Sequence, residues 1–229
     1  YNLTAMAADS PNRRSIQIGH RNLSALHLRA WRYDLHEHVE SGEDYNLLPQ
    51  WREVPEIMKG VPAASWSVDL PPTPDYRLHT SYAALPMTEP GAYVVVASAR
   101  RDFSEGGNQL IAVNVVVGDL VLVTRQLPGA WEITARSGAT GWPIADAEVS
   151  LYRADWRRGH RAVARRKTGI DGIARFELWE LKRESHFLLA RWRDHVAVDA
   201  SYLYPQPDPE RGVHSGSFLY TDRTVYRPQ

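Results

Sequence analysis

Thr168-Gly169-Ile170-Asp171-Gly172-Ile173-Ala174-Arg175-Phe176 is the stretch that decides the fold class. Asp171-Gly172 is a turn pair: the aspartate can accept a hydrogen bond from nearby backbone, and the glycine supplies a positive φ. An alternating strand follows at once. Thr140-Gly141-Trp142-Pro143-Ile144-Ala145-Asp146-Ala147-Glu148-Val149 has the same grammar, with Gly141 giving backbone freedom and Pro143 fixing φ before a strand. Around these two strings, Leu120 to Val123, Trp131 to Ala135, Ala147 to Tyr152, Phe187 to Trp192 and Val196 to Ala200 are strand-like. Gly, Asp and Pro turns separate them at intervals of about eight to twelve residues, a rhythm that predicts an all-β antiparallel sandwich.

The first half carries the same signal. Ile16 and Ile18 alternate with polar neighbours, and Leu26, Leu28 and Ala30 share one strand face. Tyr93 to Ala97 follows Gly91, and Leu110 to Val117 is a denser apolar run that reads as a central strand. Pro71 to Pro74 and Ser104 to Asn108 are loops. One short helical turn is expected, at Leu35 to Glu40 or in the acidic stretch around Glu53 to Lys59; both stretches are short, and Pro55 weakens the second. At Gly118-Asp119 the pattern restarts. The expected division is one sandwich over 1–118, a second over 119–204, and a tail over 205–229 that begins with the proline-rich linker Pro205 to Pro209.

Composition limits the chemistry. Apolar residues make up 43% of the 229 and charged ones 24%, enough for each half to bury a core. No run of apolar residues is long enough to span a membrane as a helix. The chain opens on Tyr1 with no leader-like segment, so any signal or anchor is expected to lie outside it. The absence of cysteine excludes disulfides, cysteine-zinc sites and a thiol nucleophile within these residues. With 27 basic and 27 acidic side chains there is no whole-chain field to attract nucleic acid.

The last residues, Tyr220-Thr221-Asp222-Arg223-Thr224-Val225-Tyr226-Arg227-Pro228-Gln229, alternate like an edge strand stopped by proline. As a string they resemble the segment that opens a macroglobulin domain in the α2-macroglobulin family, its bacterial branch included. Thr221, Asp222, Arg223, Tyr226, Arg227 and Pro228 carry the match, although the family continues Arg-Pro-Gly-Gln and this chain lacks that glycine. The order of the earlier signals agrees: Pro90 to Val95, the run into Gly118-Asp119-Leu120, then Thr140 to Val149 and Thr168 to Phe176. The resemblance covers roughly residues 90 to 228. It implies tandem immunoglobulin-like, macroglobulin-type sandwiches, with residues 205–229 leading into the first strand of a further domain. It implies that this chain is a fragment of a protease inhibitor that traps its target after a bait segment is cut. The family's covalent capture uses a cysteine–glutamine thioester, which these residues cannot hold. The implied role is therefore scaffold, without enzymatic activity or cofactor. The implied setting is the periplasm, with possible inner-membrane tethering of the parent; the implied partners are target proteases and penicillin-binding peptidoglycan synthases. Two other readings stay open: an adhesin or surface protein of Ig-like repeats, and a protein-docking module.

Few residues invite a site. Arg153 to Lys167 contains seven basic residues against Asp155, with Trp156 and His160 interleaved. Between two strands this reads as an exposed hairpin kept soluble by its arginines, and Arg157, Arg158 and Arg161 are the candidate partner-binding residues for an anionic partner. His36-Glu37-His38-Val39-Glu40 would offer a His-x-His pair on a strand, but no third ligand accompanies it and a solvated polar face accounts for the same residues. Gly212 to Gly216 has histidine where a nucleophile elbow needs serine, and reads as linker. The eight tryptophans are assigned to core and domain-junction packing, with Trp142 and Trp156 as exposed exceptions.

Overall fold

The computed structural model describes residues 1–6, 14–41, 46–155 and 157–205. The string from Tyr220 to Pro228, the linker after Pro205, the Gly212 to Gly216 segment and Trp156 lie outside the described residues.

The chain forms two antiparallel β-sandwiches in tandem. In the first, β1 (Asn2–Ala5), β2 (Ser15–His20) and β5 (His79–Ala84) make a sheet in the order β1-β2-β5. Facing it, β3 (Ala25–Tyr33), β4 (Ala64–Asp69), β6 (Gly91–Ser98) and β7 (Ile111–Val117) run in the order β4-β3-β6-β7. In the second, β8 (Val121–Leu127), β9 (Ala130–Arg136) and β12 (Ile173–Glu177) stand in the order β12-β9-β8. The opposing sheet holds β10 (Glu148–Arg153), β11 (Arg161–Lys167), β13 (His186–Trp192) and β14 (His195–Leu203) in the order β11-β10-β13-β14. Counted within each half, strands one, two and five form the smaller sheet, and four, three, six and seven the larger. The two halves thus share one topology.

Alternation explains where each side chain goes. In the first sandwich, Ile16 and Ile18 of the small sheet meet Leu26, Leu28, Tyr93, Val95 and Ala97 of the large one in a buried core. In the second, Trp131, Ile133 and Phe176 meet Val149, Leu151, Leu188 and Ala190. The run at Leu110 to Val117, expected as a central strand, is instead the edge strand β7. The central place belongs to β6, whose eight residues are all buried.

One helical turn is expected at either of two places, and helices form at both. α1 (Leu35–Ser41) and α2 (Val54–Ile57) lie in the connection from β3 to β4. Asp34 Oδ1 accepts from the backbone N–H groups of His36 at 2.8 Å and Glu37 at 3.1 Å, which caps α1. Pro55 occupies the first turn of α2, where its missing N–H has no partner to lose.

The two turn strings read from the sequence meet in space. Buried Thr168 donates its hydroxyl to the carbonyl of Ile144 at 2.7 Å and accepts from the Ala147 N–H at 2.9 Å. Asp171 Oδ1 accepts from the Ile173 N–H, and Gly172 adopts φ +75. A Cβ on Gly172 would lie 2.7 Å from the Ala135 carbonyl oxygen and 2.8 Å from Pro143. Gly129, in the turn from β8 to β9, has a similar φ of +74 but open space around it. Gly129→Ala should therefore cost only the left-handed backbone penalty, roughly 1–2 kcal/mol. Gly172→Ala should add overpacking, for a total of roughly 2–5 kcal/mol. Urea unfolding followed by tryptophan fluorescence measures both, and equal losses would contradict this account.

Candidate functional site: a junction latched by a basic hairpin

The larger sheets of the two sandwiches have apolar residues on both faces. The outer face of the second sheet packs against α1 and one end of the first sheet's outer face. Leu35 and Val39, one helical turn apart, join Leu47 and Ala92 against Tyr152, Phe187, Leu189 and Val196. Alternation supplies these partners: Tyr152 follows the core residue Leu151, and Phe187 and Leu189 flank Leu188. Tyr152 stacks on Phe187 with ring centroids 5.2 Å apart, and His160 meets the Phe187 ring edge-on at 5.0 Å.

Polar contacts close the rim. The Tyr152 hydroxyl donates to Glu40 Oε1 at 2.8 Å, and Arg165 Nη2 reaches the same oxygen at 3.3 Å. Arg191 lies 3.7 Å from the capping carboxylate of Asp34. At the linker, the Asp119 N–H donates to His195 Nδ1 at 2.9 Å. Burial and then the hydrogen bond to Glu40 push the Tyr152 hydroxyl up to about 12. The backbone donors at the start of α1 hold the Asp34 carboxyl below its ordinary range, with Arg191 adding to the effect.

Besides His195, the histidines His36, His38 and His160 border this junction. Burial lowers His36, with the positive charge of Arg191 acting in the same sense. It also lowers His38, against the opposing pull of Glu53 at 3.7 Å. His160 is lowered by burial and by the nearness of His38, against Asp155. Its Nδ1 accepts from the Asp155 N–H at 3.2 Å, an acceptor role that protonation removes.

The pair His36 and His38 lies on α1, not on a strand. A helix sets residues two apart roughly 200° from one another, so the two rings do not share a face. Among the described residues no group of three His, Asp or Glu side chains is arranged to hold a metal ion.

The basic run forms the β10–β11 hairpin, as its spacing predicted. Asp155 Oδ1 accepts from the backbone N–H groups of Arg157 and Arg158, both at 3.1 Å, and so fixes the turn. The seven basic residues divide into two groups. Arg153 pairs with Asp155 and Glu184, Arg165 with Glu40, and Arg166 with Glu180. Arg157 and Arg158 are exposed on the turn, while Arg161 and Lys167 are exposed at the two ends of β11. A cleft of about 420 Å³ beside the junction is lined by Arg32, Asp34, Gly91, Arg191, Arg193 and Asp194, among others. Its charges are of both signs.

The tryptophans split as well. Trp31 and Trp131 are buried, and Trp66 and Trp192 pack against the cores. Trp142 is 74% exposed, as expected, but Trp51 at 49% and Trp179 at 80% are exposed too.

Neither a family model nor a characterised protein matches this sequence. Solved structures do match the fold. One is native alpha-2-macroglobulin from Escherichia coli spanning domains MG0-NIE-MG1, with a TM-score of 0.63 and 12% identity over 86% of this chain and 62% of that one. Another is the same protein spanning domains NIE-MG1, with a TM-score of 0.60 and 13% identity over 86% of this chain and 94% of that one. This chain therefore spans less than two thirds of the longer structure. At such identity the likeness shows a common fold of Ig-like sandwiches.

Two outcomes follow for the junction. A double-mutant cycle of Glu40→Gln and Tyr152→Phe should show coupling of about 1 kcal/mol, and additive losses would mean that the hydrogen bond holds nothing. Because His36, His38 and His160 are lowered in the fold, the unfolded chain takes up their protons first as pH falls. Their contribution to stability is complete above about pH 6.5 and is lost as pH drops from there through the lowered values. Thermal melts across this window should show a falling Tm. The fall should flatten when all three are changed to Gln, and an unchanged slope would contradict this assignment.

Proposed function

We propose that residues 1–229 belong to a longer bacterial α2-macroglobulin-like protease inhibitor and supply part of its scaffold. In this reading residues 1–118 and 119–204 are successive domains, and 205–229 lead into a further macroglobulin domain. The observation that carries it is that one structural match spans both sandwiches together, covering 86% of this chain and 94% of a two-domain α2-macroglobulin structure. An adhesin of independent Ig-like repeats would be expected to match one sandwich at a time. The terminal string from Tyr220 to Pro228 points the same way.

The scaffold's mechanical share is to hold neighbouring domains in register. An apolar junction with charged contacts on its rim suits this, since the two sandwiches then move as one body when a bait segment elsewhere in the parent is cut. Target proteases would be met by the parent chain in the periplasm. Tethering to the inner membrane and association with penicillin-binding peptidoglycan synthases belong to the same proposal. Among the described residues no helix is long and apolar enough to cross a membrane.

Incubating the full-length parent with trypsin tests this reading. The trapped protease should keep its activity on a small chromogenic peptide and lose it on a large protein substrate. Undiminished digestion of the protein substrate would contradict protease trapping.

A further inference from the structure

We propose that the outer edge of the second sandwich, strand β11 with its hairpin turn, binds an extended acidic segment of a partner protein by adding it to the sheet. β11 ends the sheet order β11-β10-β13-β14, so β10 is its only ladder neighbour among the described residues. Six of its seven residues are exposed. Away from the register shift at Val163, the backbone of such an edge offers hydrogen-bond donors and acceptors at every second residue, which an incoming strand can use.

The edge has a defined open stretch. At Arg165 the strand's own carbonyl is covered by the Arg166 guanidinium at 3.0 Å. The open run is therefore Arg161 to Ala164, and its centre, Ala162-Val163-Ala164, is small enough for another backbone to approach. Val163 has no Cα partner in β10, because the register shifts between Leu151 and Tyr152, and its side chain stands 45% exposed. It offers one apolar contact in the middle of the run.

Charge selects the occupant. Asp155, Glu184, Glu40 and Glu180 are engaged by Arg153, Arg165 and Arg166. Arg158 on the turn, with Arg161 and Lys167 at the ends of β11, makes no ion pair with a described residue. A second copy presenting this same edge would set arginine against arginine, which disfavours pairing. Carboxylates on the incoming strand would instead meet the positive charge of Arg158 and Arg161 beside the open run, with Lys167 further along β11. The occupant is thus a short acidic strand carrying an apolar residue near its middle. This edge would serve a scaffold and a surface protein alike, so failure here leaves the protease-trapping reading untouched.

The test uses the whole 229-residue chain and fluorescein-labelled peptides, read by fluorescence anisotropy. The probe is a peptide of alternating Glu and Val. One control replaces Glu by Lys, and another keeps the acidic sequence but methylates alternate backbone nitrogens. Binding is expected for the unmodified acidic peptide alone, and should weaken as salt is added. Arg158→Glu with Arg161→Glu should weaken it at least roughly tenfold, and the milder Arg158→Gln with Arg161→Gln by less, with circular dichroism checking that each variant folds. Equal binding of the methylated peptide would reduce the edge to a basic patch and overturn strand addition. Equal binding of the lysine peptide or of a labelled oligonucleotide, or no binding at all, would overturn the proposal as well.

Discussion

The fold depends on one constraint: in each sandwich the larger sheet has two apolar faces, and both need cover. A sheet that packs on one side only reads as alternating apolar and polar residues. β6 does not alternate. Tyr93, Val95 and Ala97 fill the first core, while Val94 and Val96 face the other way, under Trp31, Val54 and Phe103. β13 repeats the arrangement, with Leu188 and Ala190 inward and Phe187 and Leu189 outward. Each fully buried Val, Leu or Phe side chain is worth about 1.5–3 kcal/mol. Leaving either outer face in water would forfeit several such contributions. The outer face of the second sheet is covered by the β3–β4 connection and by Ala92 at one end of β6, while Val94 and Val96 of the first sheet are covered from within their own half.

Two twisted sheets do not cover each other without a filler, and the β3–β4 connection provides it. α1 places Leu35 and Val39 into the gap, and its exposed side carries Glu40 to the rim. Asp34 serves both purposes. It satisfies the free N–H groups at the start of the helix, and it faces Arg191 across the junction. The helix is therefore held at its beginning by the same residue that links it to the second sandwich. α2 and Trp31, whose indole N–H donates to the Gly60 carbonyl at 2.9 Å, close the remaining part of the outer face.

Much of this was legible in the sequence. The strands of the second half are bounded by turn residues with a fixed chemistry, Asp171-Gly172 above all, and the structure places them where the turns require. The helices were legible only in part: one turn was expected at either place, Pro55 counted against the second, and both form because Pro55 falls in the first turn of α2. The rank of a strand within its sheet was not. Leu110 to Val117 is as apolar as β6, but apolar density does not distinguish an edge strand from one buried on both faces. β1, β4 and β5 went unread since they are short and rich in Ser, Thr and Asn, whose pattern resembles a loop. The exposed Trp51 and Trp179 look like core residues by type, and only tertiary packing decides otherwise. Ion pairing within the basic hairpin was hidden too. Glu40 and Glu180, which neutralise Arg165 and Arg166, lie in other elements of the chain.

The two sandwiches share a topology, and the connection between their third and fourth strands is where they differ most. In the first it is a long excursion carrying α1 and α2; in the second it is the shorter loop of the β10–β11 hairpin, residues 154–160. These two connections are the ones that meet. Glu40 from the first bonds Tyr152 and Arg165 beside the second, and His38 is near enough for its charge to be felt at His160. The hairpin consequently has two faces with different tasks. Tyr152 and Arg165 look toward the junction, while β11 turns its open edge to solvent. Because Glu40 holds Arg165 on the junction side, any partner drawn to that edge would bind a strand already coupled to the packing between the sandwiches. A force or ligand acting at the edge then has a physical route, through Arg165 and Tyr152 to Glu40 and α1, to the angle at which the two sandwiches meet.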